Sequence, residues 1–255
     1  MTDTPASEGG AASCVPWGFW TTTGVGLLAV AAWAAVQLLA VVAVSPWLRI
    51  GTNASEADID ALTSHGLLIA VVSIVSTPAP IAVVALAARL ARCSIQDYLA
   101  LYWPDRRNLL IGIACLVVLL PLGDLSSYLT GRDIVPSFVV DAYRTARGSG
   151  HLMLLAIALV VAAPLMEELL FRGFLLPGFA ASRLGISGAI VLTSVTWAAM
   201  HVQYELFYII QIFILGCVLG WLRWRSGSTT LTLMLHALVN LGALLQVAYI
   251  VERTA

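Results

Sequence analysis

Residues 152–172 read LMLLAIALVVAAPLMEELLFR, an uncharged apolar run from Leu152 to Met166 followed at once by Glu167, Glu168 and then Arg172. The apolar part has the composition of a membrane helix, and an ionised carboxylate at bilayer depth costs at least a few kcal/mol. Two side by side are kept only where charges pair, water enters or chemistry is done. Spacing assigns the parts. Glu168 and Arg172 stand i,i+4 on one helix face and form an ion pair, whereas Glu167, about 100° round the helix, is left to face a cavity. Pro164 lacks a backbone N–H, so the Val160 carbonyl just upstream loses its α-helical partner.

The rest of the 255-residue chain has the same character, 60% apolar and 11% charged, with a mean hydropathy of +0.93. It lacks the polar surface of a soluble domain and reads as an all-α, polytopic transmembrane helix bundle. A span needs about twenty apolar residues. Seven stretches qualify, at 18–44, 66–88, 109–129, 152–176, 186–202, 206–224 and 231–251, the third interrupted by Pro121, Gly123 and Asp124. Residues 1–16 read as a disordered tail, 17–149 as the first membrane helices, and 150–251 as the core that carries the polar motifs. The four arginines of the 89–107 loop, with Arg223 and Arg225, belong on the cytoplasmic side, which gives an N-in, C-out chain.

A net charge of −1, with all thirteen basic residues arginine, points to no nucleic-acid partner. Cys14, Cys93, Cys115 and Cys217 are too far apart for a C-x-x-C metal or redox centre and read as structural or incidental. Gly216 and Gly220 form a GxxxG pair, the spacing of close helix packing within one chain.

Two further polar pairs share the i,i+4 spacing. Trp197 and His201 put an indole and an imidazole on one face of the fifth segment, and His236 and Asn240 put two hydrogen-bond donors on one stripe of the seventh, as a developing oxyanion requires. Three such pairs on three helices are best explained as one site. Thr193, Ser194, Thr196, Gln203, Tyr204 and Gln211 are candidates to line a hydrated pocket around it. His65 and His151 sit at span edges and read as interface residues.

In this order the motifs resemble the CPBP family, the CAAX prenyl proteases and bacteriocin-processing enzymes described as glutamic intramembrane endopeptidases. The family pattern is E-E-x-x-x-R, F-x-x-x-H and H-x-x-x-N on successive membrane helices. Glu167, Glu168 and Arg172 match the first, His201 the second, and His236 and Asn240 the third. Trp197 stands where phenylalanine is usual, a departure expected to alter pocket shape rather than chemistry. The resemblance covers residues 150–245 and implies that Glu167 and His201 activate a water, that His236 and Asn240 stabilise the oxyanion, and that Glu168, Arg172 and Trp197 support them.

It further implies a protein or peptide substrate, whether a lipidated C-terminus, a leader or sorting peptide or a membrane-protein precursor, and no cofactor. Zinc held by Glu167, Glu168, His201 and His236 is the alternative, although no H-E-x-x-H is present. A proton-coupled or immunity-type binding protein without peptidase activity is the reading from another class. Membrane lipid is the remaining partner, no feature sets an oligomeric state, and the absence of lysine and of eukaryotic targeting signals points to a bacterial inner membrane.

The geometry demands one adjustment. At about 1.5 Å per residue, Glu167 lies some 22 Å from the start of its span and His201 about as far from the start of the next, so antiparallel neighbours would miss each other. They meet if the fourth helix runs on past Phe174 towards Ala181.

Overall fold

The computed structural model describes residues 14–45 and 64–254. These form helices α1 (Phe19–Val44), α2 (Gly66–Leu90), α3 (Ile95–Tyr98), α4 (Arg106–Leu129), α5 (Ser137–Gly148), α6 (Leu152–Ala180), α7 (Gly185–Ala199), α8 (Leu206–Ser226) and α9 (Thr229–Thr254), with no strand among the described residues. Six of them, α1, α2, α4, α6, α8 and α9, are long and apolar enough to cross a membrane. The chain is an integral membrane helix bundle. The fifth expected span is shorter than its apolar run, because α7 stops at Ala199 and the chain turns before His201. Its 15 residues reach about 22 Å, less than the roughly 30 Å of hydrocarbon.

Hydrogen bonds sort the connections into two ends. At one end the Trp17 indole donates to the Ala87 carbonyl, the Trp17 amide donates to the Tyr98 hydroxyl, and Thr229 donates to the carbonyls of Leu99 and Ala100. Phe19 packs against Phe179 there. The two arginine-bearing connections assigned to one side by the sequence thus share this end. Cys14, counted with the tail, is disulfide-bonded at this end to Cys93, 79 positions away, while Cys115 and Cys217 are free. At the other end Thr145 accepts from the Gly66 amide, Arg147 pairs with Glu252, and Tyr208 donates to the Asp133 carbonyl. Residues 1–13 and the acidic first loop with Glu56, Asp58 and Asp60 lie outside the described residues.

α6 is the axis of the bundle. It runs the full 29 residues to Ala180, so Glu167 falls near its middle. Every residue from Glu168 to Leu175 is buried, and α1, α2, α7, α8 and α9 all pack against this stretch. A helix buried on every side belongs at the centre of its fold. It is also not a regular α-helix: Ala158–Ala162 and Glu168–Leu175 follow the wider i→i+5 pattern of a π-helix, which concentrates at functional sites.

The far end of α6 is fixed by a close approach to α1. A Cβ on Gly178 would lie 2.1 Å from Thr22 Oγ1 and 2.9 Å from Thr22 Cβ, and Thr22 is fully buried with its hydroxyl bonded to the Trp17 carbonyl. Gly178→Ala is therefore expected to destabilise the bundle by about 1–3 kcal/mol through overpacking, read as a lower thermal midpoint in detergent. A midpoint equal to that of the unsubstituted protein would contradict this packing.

Candidate active site

The three motifs meet at the level of the π-helical stretch. Glu168 is wholly buried and Arg172 is 1% exposed, and Arg172 Nη1 donates to Glu168 Oε1 at 2.9 Å. The same carboxylate oxygen accepts from His236 Nδ1 of α9 at 3.0 Å, and Arg172 Nη2 donates to the Gly216 carbonyl of α8 at 3.3 Å. One carboxylate therefore ties α6 to α9, and its guanidinium partner ties α6 to α8. Gly216 lets the helices approach closely at that crossing, since a Cβ there would meet Ser194 and the Trp197 indole at 3.0 Å and push them aside. The GxxxG pair thus serves packing of α8 on α7, with Gly220 against Ile190.

Glu167 is placed differently. Its side chain retains 14% exposure, and its Oε2 lies 3.8 Å from His236 Nε2. The Trp197 indole N–H donates to the same Oε2 at 2.5 Å. With Nδ1 of His236 bound to a carboxylate, its Nε2 is the nitrogen turned towards Glu167.

Trp197 is the aromatic centre of the cluster. It is 2% exposed, the Arg172 guanidinium carbon sits 4.4 Å above its ring, and the imidazoles of His201 and His236 each approach edge-on with centroids at 5.3 Å. His201 lies just beyond the end of α7 and bonds the Trp197 carbonyl through Nδ1 at 3.0 Å. A carbonyl oxygen only accepts, so the neutral ring carries its proton on Nδ1 and offers the Nε2 lone pair. Tyr204 stacks on His201 at 6.1 Å. Burial, with the Glu167 charge adding, pushes its phenol up to about 12, so the hydroxyl stays protonated through neutral pH.

Asn240 has a structural partner that the sequence does not reveal. Around Pro164 the ladder is i→i+5, with the Ala163 N–H donating to the Ala158 carbonyl, so the carbonyl that Pro164 deprives is Leu159 and not Val160. Asn240 Nδ2 supplies the missing donor at 2.7 Å, and the Thr77 hydroxyl of α2 donates to the nearby Ala162 carbonyl at 3.2 Å. A carboxamide has two N–H bonds, so Asn240 keeps one beyond this repair. Of the other residues named as pocket lining, Thr193 and Thr196 bond carbonyls of their own helix, and Gln211 turns to Gly123 and Ser126 of α4. Asp124 accepts from Gln246 of α9 at 3.0 Å. The role of the indole N–H was not legible from spacing, which places a ring but not the group it donates to.

Residues 149–242 match the family model described as Type II CAAX prenyl endopeptidase Rce1-like. This segment, somewhat more than a third of the chain, is similar to the Rce1-like family. It contains all three motifs, and the resemblance to the CPBP family stands on it. An uncharacterized 24.3 kDa protein of Escherichia coli is 34% identical over 87 residues, 33% of this chain and 40% of that relative, so the match spans well under half of either. No solved structure matches the chain.

The two adjacent glutamates are expected to respond unequally to substitution. Glu168→Ala leaves the Arg172 guanidinium buried without its charge partner, at a cost of about 3–5 kcal/mol, whereas Glu167→Gln keeps an acceptor for Trp197 and changes stability by less than about 1 kcal/mol. Unfolding of both variants in detergent checks this, and equal destabilisation would contradict the assignment.

Proposed function

We propose that this chain is an intramembrane endopeptidase of the CAAX-protease type that hydrolyses a peptide bond without a metal. The reading rests above all on one juxtaposition: a part-exposed carboxylate, Glu167, lies against an imidazole nitrogen of His236 inside the segment similar to the Rce1-like family. In the proposed reaction Glu167 takes a proton from a water that the Nε2 lone pair of His201 orients. The water oxygen then attacks the peptide carbonyl. The oxyanion receives the Nε2–H of His236 and the second N–H of Asn240, two donors carried by α9. Glu167 returns the proton to the leaving nitrogen, the C–N bond breaks, and the products are a carboxylic acid and an amine.

The zinc alternative is less well supported by the same residues. A metal needs several ligands at about 2 Å from one point, while Glu168 Oε1 is already committed to both Arg172 and His236. Among the described residues no group of three or more His, Cys, Asp or Glu side chains stands in a metal-holding arrangement. The proposed substrates are peptides with a lipidated C-terminus, leader or sorting peptides, or membrane-protein precursors, met in a bacterial inner membrane.

Mass spectrometry of a peptide panel incubated with the purified protein tests this reading. Cleavage is expected from the unsubstituted protein, unchanged by chelator, with Glu167→Gln slower by about 10²–10⁴-fold, the range of general acid–base catalysis. No cleavage of any peptide, equal cleavage by Glu167→Gln, or loss in chelator with recovery on zinc would overturn it.

A further inference from the structure

The position at which this chain departs from its family's usual pattern is also the position that contacts Glu167 most closely. A phenylalanine at 197 would supply the same aromatic wall, but only an indole brings an N–H, and that N–H can donate but never accept. Here it meets Glu167 Oε2 at 2.5 Å. The indole itself has little freedom. Arg172 covers its face at 4.4 Å, the two imidazoles close on it at 5.3 Å, and Gly216 leaves no room for a side chain against its Cε3.

We propose that Trp197 is a positioning residue for Glu167, its indole N–H holding Oε2 in place so that Oε1 is the oxygen that takes the proton from water. The inference rests on the hydrolytic reading and adds to it the assignment of the two carboxylate oxygens. Oε2 is the oxygen shared by Trp197 and, at 3.8 Å, by His236. The other charged and titratable groups around Glu167 come from known directions: Glu168 and Arg172 on its own helix, and His201 and Tyr204 from the α7–α8 connection. None of them has a hydrogen bond to Oε1 among the described residues, so the free oxygen is available to the reaction. On this proposal the departure from phenylalanine bears on chemistry in addition to the pocket shape expected from sequence. It fixes the rotamer of the base before substrate arrives, which removes a reorganisation step from the barrier.

The test separates the donor from the ring. Trp197 is replaced by 3-benzothienylalanine, in which sulfur takes the place of the N–H with the shape kept, and in parallel by Trp197→Phe. With a cleavable peptide, kcat is expected to fall about 10- to 100-fold in both, the scale of losing one hydrogen bond to a charged group, while KM changes less than about twofold. An unchanged kcat, or a rise in KM alone, would overturn the proposal. Infrared spectroscopy of the carboxylate stretches supplies a readout that needs no turnover. The difference between the unsubstituted protein and Glu167→Gln assigns the Glu167 band, and the benzothienyl variant is expected to shift it. If no peptide is cleaved but the band shifts, the hydrolytic reading fails and the hydrogen bond stands. If the band does not move, the positioning role is overturned whatever the activity.

Discussion

The buried carboxylate of Glu168 is the constraint on which the other features depend. It sits where no water competes, and a lone charge there would cost far more than the fold can tolerate. Arg172 and His236 converge on one of its oxygens, and through them three helices acquire a fixed relative position. Arg172 extends the tie to α8 by way of the Gly216 carbonyl. The outcome is a division of labour between neighbouring residues of one type. Glu168 is consumed by structure, and Glu167, one position earlier and part-exposed, is left with a single indole donor and an imidazole close by. Adjacent carboxylates in the same helix turn thus acquire different environments, as the proposed reaction requires of a supporting group and a reactive one.

The irregularity of α6 belongs to the same design. Pro164 removes a backbone donor in the middle of a membrane span, where an unsatisfied carbonyl has no water to turn to. The helix widens to i→i+5 bonding, and the freed Leu159 carbonyl is met by Asn240 from α9. This repair ties α9 to α6 a second time, one helical turn along α9 from His236. Asn240 is thus a structural plug, and its second N–H leaves room for the proposed oxyanion role.

The sequence made the class of fold legible because about twenty apolar residues in a row leave few alternatives. It also made the site legible at the level of pairs, since i,i+4 spacing fixes which side chains share a face. The required extension of α6 followed from simple length arithmetic and is present at Ala180. What escaped was everything set by contacts between helices. The Val160 assignment assumed an α-helical ladder where packing imposes a π-helical one. Cys14 and Cys93 carry no sequence signal of their pairing, because it depends on how α1 and α2 lie together. Orientation divides two physical rules: the arginine bias places this end inside the cell, while a disulfide persists in an oxidising compartment. The indole N–H of Trp197 was invisible for a simpler reason, that its acceptor is thirty residues away on another helix.

The account requires Glu168 and Arg172 to act as one unit, so the most direct measurement is a double-mutant cycle on unfolding in detergent with Glu168→Gln, Arg172→Met and the pair. Coupling of at least about 2 kcal/mol is predicted, with the double variant more stable than the sum of the single losses implies. Losses that add to within about 0.5 kcal/mol would show that the two charges do not share one buried site, and the placement of Glu167 and His236 built on them would not stand.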